Sequence, residues 1–148
     1  MLKIERLNVA IQSVQILRDV SLELPDGTMA GLIGRNGAGK TTLMKSVMGL
    51  LKVKSGAVTF DGGDLVAAPT HARARLGIGY MPEDRRLIPD LTVEENVLVP
   101  VWATSVLDAQ ARLEKTYQMI PELRQFARHR GLQLSDGQQK LAALGRAL

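Results

Sequence analysis

The string Gly34-Arg35-Asn36-Gly37-Ala38-Gly39-Lys40-Thr41 constrains this chain more than any other feature. It has the form G-x-x-x-x-G-K-[ST] and stands between a short apolar run, Met29 to Ile33, and a segment whose apolar residues recur at helical spacing, Leu43, Met44, Val47, Leu50 and Leu51. The run predicts a strand buried on both faces, and the period predicts a helix from Lys40, so the order is strand, glycine loop, helix. Several backbone N–H groups must then converge on one point. Gly37 and Gly39 allow this by lacking a Cβ and tolerating positive φ, and the helix amino terminus adds partial positive charge. Such a cradle suits a polyphosphate, with Lys40 reaching the β and γ phosphates, Thr41 offering its hydroxyl to Mg²⁺ and Thr42 touching phosphate. A tight turn that binds nothing is the bland alternative.

Around the loop, Val20, Leu22 and Leu24 alternate with polar residues as in a half-buried strand, and Pro25-Asp26-Gly27-Thr28 is a turn. Ala57 to Phe60 and Ile78 to Met81 read as further strands, and Pro69 to Arg75 as a short helix. Thr92 and Glu95 have capping-box spacing, so a helix starts there. Val106 to Ile120 reads as the next helix, and Gly137 to Leu148 as the last, with Leu141, Leu144 and Leu148 on one face. Strands alternating with helices give an α/β class.

Composition removes several functions. The 148 residues are 45% hydrophobic and 23% charged, which fits a folded domain. The longest uncharged stretch, Asn96 to Leu107, is too short for a membrane span and contains Pro100. The amino-terminal residues lack the apolar run of a secretory signal, so a cytosolic location is expected. There is no cysteine, and His71 and His129 stand alone, so no metal cluster is expected from them. A net charge of +4 is spread along the chain and favours no nucleic-acid partner.

The loop by itself leaves small-molecule kinases open, whereas the Asp-x-x-Gly and Asn-Lys-x-Asp strings of common GTPases do not occur. Further along, Leu134-Ser135-Asp136-Gly137-Gln138-Gln139-Lys140, followed by Gly145-Arg146-Ala147-Leu148, resembles the signature helix of ABC transporter ATPases, where Leu-Ser-Gly-Gly-Gln is usual. Ser135-Asp136-Gly137 also suits a plain helix cap. Gly77 to Arg86, then Leu91 to Asn96, resembles the Q-loop region of that family. Glu83 stands at the usual glutamine, and a glutamate followed by two arginines is similar to importer ATPases for branched-chain amino acids, with urea or short-amide importers as neighbours.

The resemblance implies a P-loop NTPase fold of the ABC ATPase type, occupying residues 1–148 as one partial domain. It has an amino-terminal β subdomain with the P-loop core (1–86), an α-helical subdomain (87–133) and the signature helix (134–148). It implies ATP and Mg²⁺ as cofactors. Gly34, Arg35, Asn36, Gly37, Ala38, Gly39, Lys40, Thr41 and Thr42 would hold the phosphates, Thr41 and Glu83 the metal. Ser135, Gly137 and Gln138 would face the ATP of a second ATP-binding subunit, identical or not. Glu83 is the one candidate catalytic residue, against a solvated turn glutamate. The helical subdomain would receive membrane permease subunits, placing the protein at the cytoplasmic side of the inner membrane; Trp102, Val97 and Val99 are candidates for that groove, or for core. Arg124, Arg128 and Arg130 read as a solvated face.

Three departures from the family pattern carry expectations. No aromatic residue precedes Phe60, and Ile11 takes the place of the ring that stacks on adenine, so base selectivity is expected to be weak. Asp136 replaces a glycine; a charge about 5 Å from a partner's γ phosphate costs roughly 3 kcal/mol at an effective dielectric near 20, so ATP-driven dimerisation is expected to be weak. The family also continues past the signature helix into the Walker B strand with its Asp-Glu, a D-loop and a switch histidine, and the 148 residues are expected to lack all three. The core sheet is accordingly expected to be incomplete, and the 148 residues are not expected to sustain hydrolysis by themselves, leaving a nucleotide-binding or interaction module as the alternative function.

Overall fold

In the computed structural model, which describes residues 1–104 and 108–148, the strand period of the amino-terminal segment is broken by one residue. Ile4, Leu7 and Val9 of β1 (Leu2–Ile11) are all buried, although Ile4 and Leu7 are three apart. A bulge reconciles them. Ile4 pairs with Leu22 and Leu7 with Val20 of β2 (Val14–Leu24), three steps against two, and Arg6 takes a left-handed φ of 45° at the extra position. β3 (Ser55–Phe60) flanks β1 on its other edge and accommodates the same bulge with Gly56, where a Cβ would strike the Arg6 carbonyl. Asn8 fills a second irregularity: its Oδ1 accepts from Gln15 Nε2 at 2.9 Å and from the Asp19 N–H at 3.1 Å.

The sheet is antiparallel with order β2-β1-β3-β4, and β4 (Gly63–Asp64) is joined to β3 by Asp61-Gly62. Both turn residues have positive φ, 49° and 80°, as a two-residue hairpin of this hand requires. α1 (Lys40–Val47) packs on β2, and Leu43 and Val47 join Ile4, Leu7, Val9, Leu17, Val58 and Leu65 among the buried apolar residues of this unit. The chain divides at Arg73/Ala74, within α2 (Ala72–Arg75), into two units.

In the second unit, α3 (Val93–Thr104) packs on α4 (Ala109–Met119) and on α5 (Asp136–Ala147). The capping box expected at Thr92 is present: its N–H donates to Glu95 Oε2 at 2.7 Å, and the Glu95 N–H to Thr92 Oγ1 at 3.2 Å. α4 starts on Asp108, whose Oδ1 accepts from the Ala111 N–H at 2.9 Å; Val106 and Leu107, where that helix was expected to begin, lie outside the described residues. Val93, Ile120, Leu123, Phe126, Leu134 and Ala142 form the core, with Leu87, Tyr117 and Leu141 packed against it. Of the leucines that the spacing singles out on α5, Leu141 packs partly buried against the core while Leu144 and Leu148 are exposed; the fully buried positions are the small residues Ala142, Ala143 and Gly145. The reason is close approach: a Cβ on Gly145 would stand 2.8 Å from Leu123 Cδ1 and 3.0 Å from Thr116 Cγ2.

Two apolar runs read as strands are irregular. Met29 and Ile33 are 99% and 95% exposed, and Ile78 to Met81 forms no ladder. A strand's N–H and C=O groups need neighbours on its edges, and among the described residues no strand pairs with either run.

Candidate nucleotide site and signature segment

The loop after Ile33 is built by its glycines. Gly37 and Gly39 have φ of 84° and 91°, and the Ala38 N–H donates to the Arg35 carbonyl at 3.1 Å, closing the turn. Gly39 is buried; a Cβ there would lie 2.9 Å from Leu17 Cδ2 and 3.4 Å from Ile16 Cγ2, so β2 forms the floor against which the loop turns. Gly34 faces Ala38, with only 3.3 Å for an added Cβ.

α1 then starts without a side-chain cap and without an acidic residue in its first turn. The Leu43 N–H makes the first helical bond, to the Gly39 carbonyl at 2.8 Å, so the amides before it have no intrahelical acceptor. These open donors and the helix dipole suit an anion. Lys40 curls across the loop, donating from Nζ to the carbonyls of Gly34 at 2.7 Å and Arg35 at 2.9 Å. An arriving phosphate would take that cation from two neutral carbonyls. Arg35, Asn36, Ala38 and Thr41 are exposed, whereas Thr42 is buried and its carbonyl accepts from Ser46 Oγ at 2.8 Å.

Thr41 and Glu83 lie in different units, and Glu83 is exposed in an irregular segment. Among the described residues there is no group of three or more His, Cys, Asp or Glu side chains able to hold a metal. A hydroxyl such as that of Thr41 is an oxygen donor of the kind Mg²⁺ takes on a nucleotide, where one or two protein oxygens stand beside phosphates and waters. Ile11 ends β1 opposite Val14, and at 43% exposure its side chain is open to a ligand.

The signature segment caps α5. Ser135 Oγ accepts from the Gln138 N–H at 3.4 Å, and Gln138 Oε1 accepts from the Ser135 N–H at 2.9 Å. Gly137 is exposed, with open space where a Cβ would be. Asp136 is paired: its Oδ1 is 2.6 Å from Arg85 Nη1 and its Oδ2 3.3 Å from Lys140 Nζ. Hydrogen bonds from Arg85 and then Lys140 hold its carboxyl below the usual carboxylate range. The unpaired charge that sequence analysis sets against a partner's phosphate is thus already countered by two cations. Arg85 was not singled out from sequence; the available signal was a carboxylate in a glycine position together with two consecutive arginines.

Val97 belongs to the core, while Trp102 is 56% exposed and Val99 half-buried. Arg124 stands 5.0 Å over the Tyr117 ring, and the Tyr117 hydroxyl donates to Glu94 Oε1 at 2.7 Å, so one of the three arginines read as a solvated face packs on an aromatic surface. Burial, then the Glu94 bond, raises the Tyr117 pKa.

The family model described as ABC transporter matches residues 17–148. The chain belongs to the ABC transporter family. Over its full length it is 34% identical to a probable branched-chain amino acid transport ATP-binding protein, LivF, of Archaeoglobus fulgidus, covering 63% of that protein. It is 36% identical, again over its full length, to the high-affinity branched-chain amino acid transport ATP-binding protein BraG of Pseudomonas aeruginosa, covering 64%. A lipopolysaccharide export ATP-binding protein, LptB, of Haemophilus influenzae is 36% identical over 97% of the chain and 61% of that protein. The chain therefore spans just under two thirds of the length of these relatives. An ABC cassette solved as a dimer in a post-hydrolysis state with ADP and phosphate superimposes with a TM-score of 0.85 at 26% identity, over the whole chain and 69% of that cassette. Among the described residues no helix of this ABC transporter chain is long and apolar enough to cross a membrane.

Proposed function

We propose that this chain is the ATP-binding part of an ABC importer, in which ATP binding and hydrolysis drive uptake of branched-chain amino acids. One observation carries the reading: a glycine cradle at the uncapped amino end of α1, with Lys40 lying across it, in a chain whose relatives named for branched-chain amino acid transport match it end to end.

In this reading the amides of the 34–42 loop and Lys40 Nζ bind and orient the triphosphate, and Ile11 supports the base by apolar contact. Thr41 and Glu83 are the residues that would hold Mg²⁺, which supplies charge neutralisation between the β and γ phosphates. Ser135, Gly137 and Gln138, at the amino end of α5, face the nucleotide of a second ATP-binding subunit, and the helical unit docks on membrane permease subunits at the cytoplasmic face. The 36% identity to a lipopolysaccharide export protein supports a second reading of the cargo, in which the same engine drives export.

Calorimetric titration with MgATP tests the core of the proposal. Wild type binds, whereas Lys40→Ala, which removes the cation and leaves the glycine backbone, loses binding. Unchanged affinity in a folded Lys40→Ala protein overturns the assignment. With the loop established, stimulation of turnover in reconstituted transporter by leucine with its binding protein, and not by lipopolysaccharide, supports uptake over export.

A further inference from the structure

Arg85 and Arg86 are consecutive non-glycine residues with left-handed φ of 59° and 47°. Such conformations persist where the surroundings over-determine them. Both ends of α5 do so here. From its carboxyl end, Arg146 donates Nη1 to the Arg86 carbonyl at 2.5 Å and Nη2 to the Arg85 carbonyl at 2.6 Å. Arg112 ties that end to α3, donating Nη2 to the Arg146 carbonyl at 2.6 Å and Nε to the Val97 carbonyl at 2.8 Å. At the amino end of the same helix, the Arg85 side chain meets Asp136, and its Nη1 also donates to Gln139 Oε1 at 3.2 Å. The turn carrying Glu83 is thus gripped through its backbone by one end of α5 and through a side chain by the other.

We propose that the Arg85–Asp136 ion pair positions the 82–86 turn, and with it Glu83, on the signature helix, so that Asp136 acts as an anchor for Arg85 and not as a charge facing the partner's phosphate. The functional half of this inference rests on the reading of Glu83 as a metal ligand; the structural half does not. The pairing suits the site. Asp136 occupies the first turn of α5, where a carboxylate is favoured by the helix dipole, and it meets Arg85 with Oδ1 while Oδ2 faces Lys140. Glycine at this position would leave the Arg85 side chain, among the described residues, with Gln139 as its partner. Restoring the usual family residue therefore removes an anchor along with a charge.

Hydrogen exchange on the full chain, read by mass spectrometry, tests the anchor. Asp136→Asn and Arg85→Gln each speed exchange severalfold in the peptide spanning 82–88 and leave the 34–42 loop unchanged. The double variant exchanges no faster than the faster single one, and Arg85→Lys, which keeps the charge, recovers part of the protection. Unaltered exchange at 82–88, or additive effects in the double variant, overturns the proposal. In the assembled transporter, Asp136→Asn is expected to lower kcat for ATP severalfold at constant KM, and a kcat equal to wild type overturns the functional half. If Glu83→Ala leaves turnover intact while the exchange pattern holds, the anchor stands and the reading of Glu83 falls.

Discussion

Gly39 faces Leu17 across a gap with no room for a methyl group: a Cβ on Gly39 would stand 2.9 Å from Leu17 Cδ2. The residue also has a φ of 91°, so an L side chain is opposed by contact and by backbone together. Gly39→Ala is expected to cost about 1–3 kcal/mol of stability, measured by urea unfolding, and at least tenfold in MgATP affinity. Adding Leu17→Ala relieves the contact and leaves φ, so it restores only part of the loss. Full recovery in the double variant would show that backbone conformation is not the constraint.

Ile11→Tyr is expected to tighten ATP more than inorganic triphosphate, because the new ring acts on the base and not on the phosphates. An aromatic contact of this kind adds about 0.5–1.5 kcal/mol beyond area burial, roughly a twofold to tenfold gain. Equal gains for the two ligands in competitive titration would show that Ile11 does not meet the adenine.

Arg73 is only 2% exposed, and the acceptors of its guanidinium are backbone carbonyls. Nε donates to Val47 at 3.3 Å, Nη1 to Ala68 at 2.6 Å and Pro69 at 2.9 Å, and Nη2 to Leu65. One of these is at the carboxyl end of α1, where a cation complements the dipole. Arg73→Met keeps bulk and leaves the carbonyls without a donor, each loss costing about 1–3 kcal/mol if uncompensated. A loss of about 3 kcal/mol by chemical denaturation is expected, with Arg73→Lys recovering part. A change below 1 kcal/mol would mean that water replaces the guanidinium.

Acid should loosen the second unit. Asp136 is held below its ordinary value of 3.8 by Arg85 and Lys140, and Glu95 below 4.5 by hydrogen bonds from the Thr92 N–H and then the Thr92 hydroxyl. A depressed folded pKa contributes stability above the unfolded value, and the contribution is lost as pH falls through the folded one. The helical ellipticity of the chain and its melting temperature should therefore fall as pH drops below about 4.5, with a smaller slope in Asp136→Asn combined with Glu95→Gln. Equal slopes would place the acid sensitivity elsewhere.

Local chemistry was legible in the amino-acid string. The phosphate-type loop could be placed because its glycines act through their own φ, and the helix starts at Thr92 and Lys40 because capping and period are set within one turn. What lay beyond reach involved partners distant in the chain. β1 escaped notice because the bulge at Arg6 breaks its alternation, and that bulge makes sense only beside Gly56. Met29 to Ile33 has the composition of a buried strand, yet composition cannot supply the neighbours that its backbone needs, and the run is exposed. The meaning of Asp136 changed most. Read alone, it is a charge in place of a glycine; folded, it is the partner of Arg85, fifty-one positions earlier, because α5 brings its amino end to that turn. Motif chemistry is local and survives in one dimension, whereas the worth of a charge depends on which opposite charge the fold places beside it.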